Sequence, residues 1–140
     1  MRLVLDTNIL IAALIKNSFT RKIFFSSDIE FLFPEYALEE VTRHRAKIAR
    51  HSHLSYREID LLLSLLLESV TVVPAQRILP HVKAAEALIG NVDMDDVPFV
   101  ALALAMENDG VWSNDRAFEH LPGITVWKTS DIKAYFQKRS

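Results

Sequence analysis

Residues 2–10 read RLVLDTNIL, a short apolar run that an acid, a hydroxyl and an amide separate from a second apolar run. This pattern predicts a strand, a polar turn and a helix. The run from Leu3 to Leu5 is apolar without alternation, which is typical of a strand that is buried on both faces. Asp6 therefore follows the carboxyl end of a buried strand, the edge at which open α/β sheets bind their ligands.

The composition is that of an ordinary soluble domain. The chain has 140 residues, of which 50% are hydrophobic and 24% charged, and it predicts a single domain over residues 1–140. The net charge of −2 excludes a general attraction to nucleic acid, so any RNA-binding surface must be local. The absence of cysteine excludes disulfides and thiolate metal sites, and it fits a cytoplasmic protein. We expect neither a signal peptide, because Asp6 and Asn8 interrupt the apolar N-terminus, nor a membrane span.

Strand and helix patterns alternate along the chain. Apolar and β-branched segments predict strands near residues 3–5, 30–33, 70–73, 111–113 and 124–127. The segments between them predict helices, including one continuous helix over about 36–50 and another over about 80–89. This order favours a three-layer α/β/α fold with a mostly parallel sheet of about five strands.

One predicted helix is unusually apolar. Ser55 and Glu58 form a capping box that opens it, and it runs to about Ser69 with leucines at positions 61, 62, 63, 65, 66 and 67. A helix that is apolar on nearly every side is deeply buried or partly covered by another subunit. Since symmetric dimers are the commonest soluble oligomers, we expect a homodimer.

Three aspartates have similar positions relative to the predicted strands. Asp6 and Asp115 each follow a strand, so a parallel sheet would place them at one edge, and Asp96 opens the helix before the second of these strands. The alternative for each is a helix N-cap, which is compatible with metal binding because a carboxylate has two oxygens. Asp93 would share a helix face with Asp96, as a further ligand or as a solvated acid.

A glutamate on the helix after the second strand could join these acids. Leu38, Val41 and Ile48 mark the apolar face of that helix, and Glu40 borders this face while Glu39 lies almost opposite. An all-oxygen cluster favours a hard divalent ion, Mg²⁺ or Mn²⁺, which can promote phosphodiester hydrolysis. The sequence contains no GxSxG, Walker or GxGxxG motif, so no strong alternative chemistry appears.

These motifs together resemble those of the PIN-domain nucleases. The resemblance covers nearly the whole chain and lies in four blocks in the family's order: Asp6-Thr7-Asn8, Glu40-Val41, residues 96–103 (DVPFVALA) and residues 111–118 (VWSNDRAF). It implies metal-dependent hydrolysis of single-stranded RNA. Stand-alone domains of this size in the family are often toxins of toxin–antitoxin pairs, so the resemblance also implies an antitoxin protein as a partner.

The resemblance also implies roles for particular residues. Asp6, Asp96 and Asp115 would be metal ligands, and Glu40 would hold the attacking water or act as a base. The supporting positions are Thr7, Asn8, Asp93, Ser113 and Asn114. The local basic cluster, which could hold the RNA backbone or simply be solvated, consists of Arg43, Arg45, Lys47 and Arg50.

Two other functions remain as alternatives to a ribonuclease. One is a catalytically silent PIN-fold module that binds RNA or protein, although the filled acidic positions argue against it. The other is a different metal-dependent phosphohydrolase. The residue two positions after Asp6 is Asn8 rather than an acid, which argues against an aspartyl-phosphate phosphatase of the DxDxT type.

Overall fold

A computed structural model describes residues 1–26, 28–91 and 93–139. Its centre is a five-stranded parallel sheet in the order β3-β2-β1-β4-β5. The strands are β1 (Arg2–Leu5), β2 (Glu30–Pro34), β3 (Val70–Val73), β4 (Val111–Trp112) and β5 (Val126–Trp127). Helices flank the sheet, so the predicted α/β fold with about five mostly parallel strands is confirmed.

The middle of the sheet forms the core. Leu3, Val4 and Leu5 are fully buried, as the unbroken apolar run predicted. The Trp112 ring packs against Phe24 and Phe31, with ring centroids 6.2 and 5.8 Å away. In the register of β1 and β4, Leu5 lies opposite Trp112. The residues that follow these two therefore leave the sheet side by side.

The helices connect the strands. They are α1 (Thr7–Ile15), α2 (Phe19–Phe24), α3 (Leu38–Arg43), α4 (Arg45–Ser52), α5 (Tyr56–Leu67), α6 (Ala75–Ile78), α7 (Val82–Ala85), α8 (Val97–Ala105) and α9 (Thr129–Arg139). Short 3₁₀ turns lie at Glu35–Ala37, Leu79–His81, Met94–Asp96 and Arg116–Phe118, and a π-helical turn at Glu86–Gly90. In the described parts of the chain, no helix is both long and apolar enough to cross a membrane.

Two segments that were predicted to be single continuous helices are divided in the structure, so these two predictions were wrong. The helix predicted over about 36–50 is divided at His44, where φ is −93° and ψ is 9°, and both α3 and α4 pack against α1. The helix predicted over about 80–89 begins earlier, at Ala75, and tightens into a 3₁₀ turn around Pro80. Proline has no N–H and cannot continue the α-helical hydrogen bonding there.

Helix α5 buries most of its apolar residues, but two of its leucines face solvent. The capping box is present, with Ser55 N donating to Glu58 Oε1 and Glu58 N donating to Ser55 Oγ. Most of the apolar residues of the helix pack against the core. Leu61 and Leu65 are 59% and 50% exposed, and they lie one helical turn apart. The self-association expected from this helix stays a prediction.

The entry into β4 depends on a glycine. Gly110 has a φ of +137°, and a Cβ atom on it would lie 2.5 Å from the Thr125 carbonyl oxygen. We expect Gly110→Ala to lower the free energy of unfolding by about 3 kcal/mol or more, because backbone strain adds to a clash with backbone. The matched control is Gly123→Ala, where φ is +75° and the Cβ atom would meet nothing within 4 Å. It should cost only about 1–2 kcal/mol. Urea denaturation measures both values, and equal losses would contradict the steric argument.

Candidate active site

The carboxyl edge of the sheet places Asp6 beside Ser113. Asp6 N donates to the Trp112 carbonyl oxygen at 3.2 Å, which extends the β1–β4 pairing by one residue. The Ser113 hydroxyl then donates to Asp6 Oδ2 at 2.7 Å. Asp6 is 3% exposed and Ser113 is fully buried, so this hydrogen bond forms in a site that is largely closed to solvent.

Ser113 also positions Asp115. Its hydroxyl oxygen accepts a hydrogen bond from Asp115 N at 3.0 Å. Asp115 Oδ1 accepts from Ala117 N at 2.9 Å and caps the following 3₁₀ turn, as Asp6 Oδ1 accepts from Asn8 N at 3.4 Å at the start of α1. The capping interpretation therefore holds for Asp6 and Asp115. It leaves lone pairs on both carboxylates for another ligand.

Asp96 differs from these two acids because it caps nothing. It stands directly before α8, yet its side chain makes no capping hydrogen bond. It is only 6% exposed, and its Oδ2 atom has no hydrogen-bond partner among the described residues. A buried, unpaired carboxylate oxygen is costly, so this atom is available for a cation.

Asp93, Asp96 and Asp115 offer one carboxylate oxygen each within 4.8 Å of one another. Asp93 does not share a helix face with Asp96, as was predicted, because it has an extended backbone and precedes the 3₁₀ turn; its Oδ1 accepts from Asp95 N at 2.9 Å. Burial, followed by the charges of Asp93, Asp115 and Asp6, raises the pKa of Asp96 to about 8. Three oxygen donors that repel one another fit a divalent cation.

Glu40 also lies near Asp6. The Thr7 hydroxyl, in the first turn of α1, donates to Glu40 Oε2 at 3.0 Å. Burial raises the pKa of Asp6, and the charges of Asp115 and Glu40 contribute, although hydrogen bonds from Ser113 and Asn8 oppose this effect. Glu40 is half-buried at this edge, whereas Glu39 is exposed.

Thr129 is a structural partner of the site that sequence reasoning missed. Its hydroxyl accepts from Trp112 Nε1 at 3.1 Å and from Asn114 Nδ2 at 3.0 Å. Its N–H donates to Asn114 Oδ1 at 2.9 Å. These bonds attach the loop that carries Asp115 to the start of α9. No motif marks Thr129, and the only available signal was its place at the start of the last helix.

The basic cluster divides into two parts. Arg45 Nη2 lies 2.9 Å from Asp60 Oδ2, and its guanidinium stacks 4.6 Å from the centre of the Tyr56 ring, so Arg45 joins α4 to α5. Arg43, Lys47 and Arg50 are exposed. Arg43 is three residues from Glu40 on α3 and therefore lies on the same side of that helix.

A family model described as the PIN domain matches residues 4–137. The chain belongs to the PIN-domain family. A comparison with curated proteins found no match. PIN domains are typically metal-dependent nucleases, and the cluster of Asp93, Asp96 and Asp115 is the arrangement in this PIN domain that could bind the metal.

The raised pKa of Asp96 predicts how stability depends on pH. In the metal-free protein Asp96 keeps a proton up to about pH 8, whereas the unfolded chain releases it near 3.8. The folded state thus binds more protons across this window, so this group's contribution to stability falls as the pH rises from about 4 to about 8. Asp96→Asn should remove this dependence and raise the Tm of the metal-free protein at pH 8 by about 2 °C or more.

The control for this prediction is Asp95→Asn, since Asp95 is exposed on the same turn. Thermal melts in chelator at several pH values measure both variants. Mn²⁺ should raise the Tm of the wild type at pH 8 and not that of Asp96→Asn. Identical pH profiles for the wild type and Asp96→Asn would show that Asp96 is not the titrating group.

Proposed function

We propose that this PIN domain is a Mg²⁺- or Mn²⁺-dependent endoribonuclease that cleaves single-stranded RNA. The observation that carries the proposal is the buried, unpaired Asp96 oxygen next to Asp93 and Asp115, in a family whose members are usually nucleases. In the proposal Asp6, Asp96 and Asp115 would hold the metal. The three carboxylate oxygens that lie within 4.8 Å of one another belong to Asp93, Asp96 and Asp115, so Asp93 would join the predicted ligands. A divalent ion held by these residues would supply activation of water and stabilisation of negative charge on the phosphate.

The chain's own residues supply the remaining steps. Thr7 fixes one oxygen of Glu40 by donating to Oε2, and Oε1 has no hydrogen-bond partner among the described residues. Glu40 Oε1 would accept a proton from the attacking water. As the new P–O bond forms, the P–O bond to the leaving nucleoside breaks, and the departing oxygen takes a proton from solvent. Ser113 holds Asp6 and the Asp115 backbone in one geometry, so neither acid has to reorganise during the reaction.

The exposed basic residues provide the local surface for the RNA backbone. Arg43, Lys47 and Arg50 are the members of the basic cluster proposed to contact phosphates, because Arg45 is already paired with Asp60. We also propose a toxin role, with an antitoxin protein as the partner that restrains it, because the motifs resemble those of the toxin-type PIN ribonucleases. The basic surface offsets the repulsion between the acids and the RNA, and its effect should weaken with salt.

A pair of neighbouring glutamates tests the catalytic assignment. Glu40→Gln should lower kcat on single-stranded RNA by roughly 100-fold or more, because it removes the proposed base. Glu39→Gln is the matched control, since Glu39 is exposed on the same helix, and it should retain nearly full activity. Asp6→Asn should abolish Mn²⁺-dependent cleavage while keeping a cooperative thermal transition.

The outcomes separate the candidate functions. No cleavage of RNA by the wild type with either metal, despite Mn²⁺ binding, would indicate a silent binding module. Metal-dependent hydrolysis of phosphomonoesters without cleavage of RNA would indicate a different phosphohydrolase. Equal losses in Glu40→Gln and Glu39→Gln would contradict the role of Glu40.

We also propose that the domain is a homodimer that uses the outer face of α5. Leu61 and Leu65 are exposed there, and Phe25, which is 58% exposed, lines a shallow depression together with Leu65. Full exposure of a leucine forfeits roughly 1.5–3 kcal/mol of burial, and each of these two leucines is at least half exposed. Sedimentation at micromolar concentration should give about twice the chain mass of 16.0 kDa. The double variant Leu61→Lys and Leu65→Lys should sediment as a monomer, and a monomeric wild type would reject the interface.

A further inference from the structure

A cavity lies beside the acids and is not used by the chemistry proposed above. It has a volume of about 300 Å³, and Asp6 and Asp115 line it. The remaining lining residues come from α1, the start of α2 and the loop after β4, and they are Asn8, Ile9, Ala12, Thr20 and Asn114. The cavity is therefore continuous with the candidate metal site.

The lining of this cavity is uncharged apart from the two acids. Ile9 and Ala12 are apolar and lie on one face of α1, since they are three residues apart. Asn8 and Thr20 add an amide and a hydroxyl. A second phosphate would find no cation among these lining residues and would be repelled by the acids. An uncharged group with an apolar surface and a polar edge fits the cavity better.

The polar side chains of this cavity are free to bind such a group. Thr20 is only 9% exposed, and neither its hydroxyl nor the Asn8 amide has a hydrogen-bond partner among the described residues. Asn114, in contrast, is held by Thr129 and forms a fixed wall. A small cavity that combines an apolar wall with a few unused polar groups is typical of a ligand site.

We infer that this cavity receives the nucleoside next to the cleaved phosphodiester of the RNA, and that Thr20 and Asn8 determine which nucleotide is preferred there. The inference rests on the proposed ribonuclease function. The phosphate lies at the acids, and the neighbouring nucleoside enters the cavity with Ile9 and Ala12 as its apolar wall. The volume is at the lower end of the range for small-molecule sites, which suits one nucleoside unit of a single strand.

The first test compares variants of Thr20 on a set of RNAs. The substrates are oligonucleotides that differ only in the nucleotide on each side of the cleaved bond. Thr20→Val removes the hydroxyl with little change in shape, and it should lower kcat/KM for the preferred RNA roughly three- to tenfold and reduce the preference. Thr20→Ser should keep the preference. The matched control is Thr71→Val, at an exposed position on β3, which should leave all rates unchanged. Mn²⁺ affinity should be the same in all variants.

The second test does not depend on cleavage. Methyl NMR of Ile9, Ala12 and Thr20 follows the addition of AMP, CMP, GMP or UMP with Mg²⁺, and inorganic phosphate is the control. At least one nucleotide should shift these methyl signals, while phosphate should not. If phosphate gives the same shifts, or no nucleotide shifts them, the inference is overturned.

The two tests together distinguish this inference from the proposed function. Cleavage of all the RNAs by Thr20→Val with the rates of the wild type would overturn the nucleoside site and leave the ribonuclease intact. Nucleotide-specific shifts in a wild type that cleaves no RNA would reject the ribonuclease and support the nucleoside site. If Thr20→Val fails to fold, Asn8→Ala takes its place, because Asn8 is exposed and its side chain makes no hydrogen bond among the described residues.

Discussion

The parallel pairing of β1 with β4 is the constraint on which the site depends. Because Leu5 lies opposite Trp112, Asp6 and Ser113 leave the sheet together and form a buried hydrogen bond. A shift of one residue would turn every side chain of a strand to the other face. The register is fixed by packing, since the fully buried Trp112 lies against Phe24 and Phe31. The hydrophobic core therefore determines the position of the carboxylates as well as the stability of the fold.

The buried acids Asp6 and Asp96 have different surroundings, and this difference explains the size of their pKa changes. Asp6 receives hydrogen bonds from Ser113 and Asn8 that oppose the effect of burial on its pKa. Asp96 is also buried, but burial and three neighbouring acids all raise its pKa. Without a bound cation, the raised pKa of Asp96 keeps this carboxyl protonated below about pH 8. A bound ion would replace that proton, so metal binding should release protons and weaken as the pH falls.

The sequence was sufficient for the parts of the structure that follow from periodicity. The apolar run of Leu3 to Leu5 predicted a central buried strand, and parallel topology then placed Asp6 and Asp115 at one edge. The helical position of Glu40 predicted that it would border the core. The division of the helix at His44 could not be predicted, since no glycine or proline marks it. The role of Thr129 could not be predicted either, because it depends on a contact between β4 and α9 that no local sequence pattern indicates.

The origin of the site residues explains why the site and the fold must form together. Asp6, Glu40, Asp96 and Asp115 come from four separate segments, and Thr129 ties the last of them to α9 near the end of the chain. Asp93 and Asp96 are close in the sequence, but the other acids come near them only after the sheet has paired. The unfolded chain therefore has no preformed site, and an ion that binds only the native arrangement stabilises the whole fold rather than one loop. Metal binding and global stability are thus linked by topology, through contacts that span the length of the chain.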